Sequence, residues 1–355
     1  MGADKNMAPG QERDKSIDLL RCFALLGIIL AHVSPPSVVL QLRGFDVPLM
    51  VFLSGVVFYR GKDFRLELPN LLQYWFRRIK RIVFPVWLFL VLYYGLMFLL
   101  FAKSPSVSEA LEVFTLRSGW YVWIFRVFLI VALVAPFLAA PVKKWNSALL
   151  YLGGILVLLL HEFVAGSRYP EFLYPLVEAV PYVIVFLFGM LAKGTSRKQM
   201  TWMTLAWMAV FAGLAVWKFR SAGHFVNTGT CKYPPQLYYL AYGLGCIDVL
   251  WLVKDWLMAL LGRIPFLEKL AVFIGSHTMW IYLWHILFLE FMSDFCVCFA
   301  GAIRWIHLPF WGARFVFVLT CSCILTFLQS LLFDRLKSAR PDSRVLKWFH
   351  PILVG

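Results

Sequence analysis

The chain of 355 residues carries 34 Lys plus Arg against 19 Asp plus Glu, a net charge of +15, yet 61% of its residues are hydrophobic and only 15% are charged. Soluble domains stand near about 45–50% and about 25% on those two measures, so a freely soluble protein is excluded. If about ten segments of about 21 residues lie in lipid, little mass remains for a catalytic domain outside the bilayer.

A cleaved leader does not account for the composition, because apolar stretches recur to the C-terminus and the first contains Asp18 and Arg21. In chain order the sequence predicts a polar N-terminal extension over 1–15, one membrane domain over 16–334 and a basic tail over 335–355. Apolar runs broken by charge, Pro and Gly place spans near 17–33, 46–59, 82–102, 119–140, 148–161, 173–192, 200–217, 234–252, 270–291 and 310–333. The expected fold is all-α, a polytopic membrane helix bundle of about ten transmembrane helices. The stretch 46–59 is the weakest as a span and reads as a tilted or broken helix shielded by its neighbours. With the N-terminus inside, the inner segments hold 23 Lys and Arg and the outer segments 8. That bias predicts both termini in the cytoplasm, and no nucleic-acid partner is expected.

The first span contains Asp18, Arg21 and His32, where a charge exposed to lipid is costly. At about 100° and about 1.5 Å per residue, Arg21 and His32 share one helix face and stand roughly 16 Å apart along the axis. Either they serve two depths of one polar interior, or Arg21 snorkels to the headgroups while His32 pins a neighbouring helix. Val33-Ser34-Pro35-Pro36 ends the helix just after His32. The imidazole therefore sits in the last turn, suited to taking a proton from an alcohol. Asp46, expected at nearly the same depth, is a candidate to orient that ring or to cap a helix.

The run from Gln73 to Pro85 reads as an inner loop in which Arg77, Arg78 and Arg81 form a cationic collar beside aromatic residues. Such a collar retains positive charge inside and binds anionic lipid headgroups. It also suits the phosphates of a nucleotide cofactor, since Arg makes paired contacts with phosphate oxygens. Arg126, Glu178, His285 and Glu290 interrupt later spans and are expected to converge on one cavity, with helix packing the competing reading and an Arg126–glutamate pair left open. The outer loop from His224 to Tyr239 combines tyrosines, among them Tyr238 and Tyr239, with amides and a Pro pair. It suits a sugar-like acceptor and an interfacial aromatic belt alike. The seven cysteines show no metal spacing coupled to histidine, so no metal is expected and most read as small buried hydrophobes.

Arg21-x10-His32, then VPLMVFLSGVVF, RRIKRIVFP, YVWIFRVFL from Tyr121 and GSHTMWIYLWHI occur in an order that resembles acyltransferase family 3 over roughly residues 15–333. The resemblance implies a ten-helix enzyme of the bacterial inner membrane. It would move an acyl group from cytoplasmic acetyl-CoA, or another acyl-CoA, to a hydroxyl of an exported or surface saccharide or a lipid-linked glycan. It also implies essential roles for Arg21 and His32, a donor-side site at Arg77, Arg78 and Arg81 together with Arg21, and a late segment in which Tyr282 and His285 match. Asp46, Arg126, Glu178, Tyr238, Tyr239 and Glu290 are the candidate acceptor-binding residues. No appended hydrolase-like domain is expected, which leaves room for polysaccharide-assembly proteins as partners beside the membrane lipids. The run from Cys231 to Pro235 resembles a feature of a subgroup active on polysaccharides.

In the expected mechanism the inner arginines hold the CoA phosphates and His32 deprotonates the acceptor hydroxyl. Tyr282, His285 or a backbone donor then stabilises the carbonyl oxygen. A covalent acyl-His32 intermediate is the alternative chemistry. The rival function is a transporter or flippase for a glycan or lipid-linked substrate, because polar groups also line translocation paths. A noncatalytic scaffold is the third class.

Overall fold

The computed structural model describes residues 14–59, 66–117 and 120–354, so most of the polar N-terminal extension lies outside the described residues. Among them there is no β-strand. The helices are α1 (Lys15–His32), α2 (Ser37–Leu42), α3 (Asp46–Phe58), α4 (Leu68–Phe101), α5 (Val107–Phe114), α6 (Trp123–Lys144), α7 (Ser147–Ala165) and α8 (Tyr174–Leu191). They continue as α9 (Arg197–Ala222), α10 (Leu237–Leu261), α11 (Pro265–Ser276), α12 (Thr278–Cys298), α13 (Ala300–Trp305), α14 (Phe310–Ala339) and α15 (Arg344–Leu353). Every expected span overlaps a helix, and among the described residues 8 stretches are long and apolar enough to cross a membrane. The chain is a polytopic helical membrane bundle.

The bundle is built around α1, which packs against α3, α10, α11, α12 and α14. Asp14 starts α1 by accepting the Ser16 amide at 3.2 Å, which satisfies one of the orphan donors of the first turn. Its far end is the turn through Ser34, at φ 55°, into Pro35 and Pro36. Close packing of backbones sets two of the crossings. At the α3–α8 crossing, an added Cβ on Gly55 would collide with the Phe186 carbonyl, and one on Gly189 with the Phe52 carbonyl. In lipid, helix association rests on such close packing because the tails are as apolar as the side chains. The outer helices show the complement. On α7, Leu149, Leu152, Leu156, Leu160 and Phe163 are exposed while Leu150, Gly154, Leu158 and His161 face inward. An apolar outside and a partly polar inside suit a lipid solvent.

Two expectations about local structure change, and the tail takes a defined form. The run from Gln73 to Pro85 is not a loop: α4 is one helix from Leu68 to Phe101. Nothing between Pro69 and Pro85 breaks a helix, and Pro85 forfeits only one bond inside a packed bundle. The span near 270–291 is divided at His277 into α11 and α12. Gly275 lies so close to α1 that a Cβ there would collide with the Asp18 carbonyl, and the turn that follows re-aims α12. The tail is a docked helix. Trp280 Nε1 donates to the Ile352 carbonyl at 2.8 Å, Gln329 Nε2 donates to that of Leu353 at 2.7 Å, and the Lys80 ammonium lies 3.8 Å over the Trp348 ring.

Candidate active site

His32 is the last residue of α1, and re-aimed α12 brings His285 to it. His32 Nδ1 lies 3.1 Å from His285 Nε2, with the rings near parallel at 25°. The other nitrogen of His285, Nδ1, faces the carbonyl oxygen of Tyr282 one turn earlier. A carbonyl only accepts, so Nδ1 of His285 carries the proton and its Nε2 presents a lone pair. The proton between the rings then belongs to Nδ1 of neutral His32. Nε2 of His32 is left unprotonated, able to accept a proton. Tyr121 meets the same imidazole edge-on at 4.9 Å.

The cavity at His32 is also lined by Ile28, Arg43, Asp46, Trp123, Lys232 and Tyr282. Arg43, in the turn after α2, donates to Asp46 Oδ2 at 2.6 Å, and the other oxygen of Asp46 accepts the Val47 amide at 2.7 Å. Asp46 is fully buried. The expectation that Asp46 orients the His32 ring is therefore corrected: its carboxylate is committed to Arg43 and the first turn of α3, while His285 meets the ring. Arg43 Nε has no hydrogen-bond partner. Lys232 enters from the loop between α9 and α10, which is tied over α2 by Asn227 Nδ2 donating to the Ser37 carbonyl at 3.1 Å and by the Thr228 amide donating to Gln41 Oε1 at 2.9 Å. Its ammonium lies 5.3 Å over both the Trp123 and Tyr233 rings. Burial pulls it down to about 8, against the raising effect of Asp46. The cavity thus joins an imidazole able to accept a proton to a cation placed to meet negative charge.

Tyr282 donates its hydroxyl proton to the Tyr121 carbonyl at 2.6 Å. That leaves it no second proton, and both nitrogens of His285 are engaged as well. Neither residue offers a free donor in this arrangement, and the cations that line the cavity are Lys232 and Arg43.

The remaining candidates lie elsewhere. Arg21 is half-buried, 3.5 Å from Asp18, and the helix face between it and His32 carries buried Leu25 and Ile28. Ile28 lines the His32 cavity and Arg21 does not. Arg77, Arg78 and Arg81 stand on α4, with Arg78 5.2 Å over the Tyr74 ring. Arg126 binds Glu178 at 2.6 Å and donates to the Leu116 and Arg117 carbonyls at 3.1 and 3.0 Å. That clamp joins α6, α8 and the segment after α5. Tyr238 donates to the Val226 carbonyl at 2.8 Å and stacks on Phe211, and Tyr239 is wholly buried. Glu290 accepts from the Tyr93 hydroxyl at 2.9 Å and lines a separate groove. The polar residues of the spans therefore do not converge on one cavity: His285 joins His32, whereas Arg126, Glu178 and Glu290 do not line that cavity.

Arg43, Tyr121, Trp123 and Lys232 were not singled out as site residues from the sequence. The available signal was Lys232 as a lone cation among tyrosines and prolines, and Arg43 as the lone cation between the first two spans.

No curated protein and no solved structure gives a significant match to the chain. A family model described as an acyltransferase domain matches residues 14–329. That match takes in α1 with His32, α12 with His285 and the Lys232 loop, and the chain therefore belongs to acyltransferase family 3.

Proposed function

We propose that this protein is an acyl-CoA-dependent O-acyltransferase. It uses acetyl-CoA or a related acyl-CoA and acylates a hydroxyl of an exported or surface saccharide. The observation that carries the reading is the hydrogen-bond order from the Tyr282 carbonyl through His285 to His32, which leaves Nε2 of His32 as a base in a cavity that also holds Lys232.

The chemistry balances on these groups. Nε2 of His32 takes the proton of the acceptor hydroxyl, whose oxygen forms a bond to the thioester carbonyl carbon. The Lys232 ammonium stabilises the charge that develops on the carbonyl oxygen. Collapse breaks the carbon–sulfur bond, and the leaving thiolate takes the proton from the His32 imidazolium. Arg21, Arg77, Arg78 and Arg81 receive the donor phosphates from the cytoplasmic side. The donor arm then needs to pass Leu25 and Ile28 to reach the level of His32, roughly 16 Å along α1. The charge bias of the segments between spans supports both termini on the cytoplasmic side, and the family resemblance is what suggests a bacterial inner membrane.

Membranes given labelled acetyl-CoA and cell-envelope glycans test this. Labelled ester on a saccharide with matching release of free CoA thiol, lost in His32→Ala, is the expected result. Acceptor crossing a liposome wall without thiol release indicates the transporter class instead.

A further inference from the structure

Beside the His32 cavity lies a larger groove of about 410 Å³, between the end of α4, α5 and α12. Tyr93, Tyr94 and Trp120 supply aromatic rings, and Tyr93 and Trp120 stand 5.4 Å apart. Among the described residues that line it, three carboxylates, Glu109, Glu112 and Glu290, stand against one cation, Lys103; Glu109 Oε2 already accepts the Ser106 amide and hydroxyl at 2.8 and 2.9 Å, and Glu290 Oε1 the Tyr93 hydroxyl. The groove adjoins the reaction site through two consecutive residues. The Trp120 ring lies 5.2 Å from that of Tyr121, which meets His32 at 4.9 Å.

We infer that this groove binds the acceptor and selects a hydroxyl-rich or amine-bearing sugar ring over one that carries carboxylate or phosphate. This rests on the acyltransferase reading above and adds to it the charge class of the acceptor and the place where it is held. Aromatic faces pack against the apolar faces of a pyranose and attract an ammonium. Ionised carboxylates only accept hydrogen bonds, so they require hydroxyl or ammonium donors and repel an anion. Volume and mixed lining suit a small-molecule site. Selection here is by charge, because a like charge brought against the groove costs more than a missing hydrogen bond returns.

The test uses the purified full chain in lipid nanodiscs and three tetrasaccharide probes: a glucose oligomer, a glucosamine oligomer and an oligomer containing glucuronate. Binding is measured by saturation-transfer NMR and calorimetry at low salt. The glucose and glucosamine probes are expected to bind at least about tenfold more tightly than the uronate probe. Equal affinity for those two assigns recognition to hydroxyls, and a preference for glucosamine assigns it to the aromatic rings and carboxylates acting on an ammonium; both support the inference. Trp120→Ala is expected to abolish the signal. Because that variant risks disturbing the fold, Glu112→Lys, at an exposed side chain, is the second arm and should narrow or reverse the ranking. Uronate binding equal to or tighter than that of the other probes, or a ranking unmoved by Glu112→Lys, overturns the inference. If the ranking holds and no probe or glycan is ever acylated, the transferase reading fails while the groove stands. If neutral and uronate glycans are acylated alike, the groove assignment fails while the transferase stands.

Discussion

His32 Nδ1 and His285 Nε2 lie 3.1 Å apart, although 253 positions separate the two residues in the chain. His285 acts on the proposed chemistry through His32, since its own nitrogens are occupied by the Tyr282 carbonyl and the His32 ring. His285→Leu should lower kcat by about 10²-fold with little change in donor KM. His285→Gln, whose amide oxygen can still accept from Nδ1 of His32, should recover part of that loss. The check is steady-state release of CoA thiol. Equal damage by Leu and Gln would reduce His285 to a packing residue.

Lys232 carries a pH prediction. Its ammonium, held down to about 8 by burial, is charged at neutral pH and neutral above that value. Activity should therefore fall as pH rises through about 8, and Lys232→Arg should extend the active range upward because guanidinium stays charged. Unfolding does not explain such a fall. Between about 8 and the ordinary lysine value of 10.5, the unfolded chain binds more protons than the folded one, so this group's contribution to stability rises with pH. A pH–rate profile paired with thermal melts separates the two.

Arg126 and Glu178 were candidates for acceptor binding and are found as an ion pair at 2.6 Å with Glu178 buried. Removing one partner leaves a buried charge, so Arg126→Met should cost about 3–5 kcal/mol. Arg126→Met combined with Glu178→Met should recover much of it. Apparent melting temperature in detergent measures both. An intact fold with raised acceptor KM in Arg126→Met would restore a binding role.

Two glycines make a matched pair. Gly189→Ala drives a methyl into the Phe52 carbonyl and should destabilise by about 1–3 kcal/mol. Gly95 on α4 has nothing within 4 Å of an added Cβ, so Gly95→Ala should be neutral or stabilising by up to about 1 kcal/mol. The melting temperatures of the two variants should move apart.

The arginines of α4 are proposed to hold the donor phosphates. Arg77→Gln combined with Arg81→Gln should raise donor KM by about tenfold while kcat at saturation stays near normal, as expected when binding is lost equally from ground and transition states. A kcat loss at unchanged KM would place these residues elsewhere in the cycle.

Much of the fold was legible because lipid imposes a simple code. A helix crossing a bilayer needs a long apolar run, and such runs mark the helices in order. The arginine run, expected as a loop, is helix for a related reason: polarity ends the membrane-embedded stretch, but a helix extends past the bilayer whenever nothing in it breaks the hydrogen-bond ladder. The face shared by Arg21 and His32 follows from the helical period alone. Only a pairing of distant helices brings His285 to His32, and only the tie of the loop over α2 buries Lys232 beside them.

The amino-acid order by itself determined the solvent, the apolar spans, their sequence along the chain and the position of His32 at a helix end, because these depend on local period and transfer free energy. The tertiary structure alone decided which polar side chains meet. Asp46 went to Arg43, Arg126 to Glu178 and His285 to His32, because buried polar groups pair with whatever partner packing supplies, and packing follows where Gly275, Gly55 and Gly189 let two helix backbones touch.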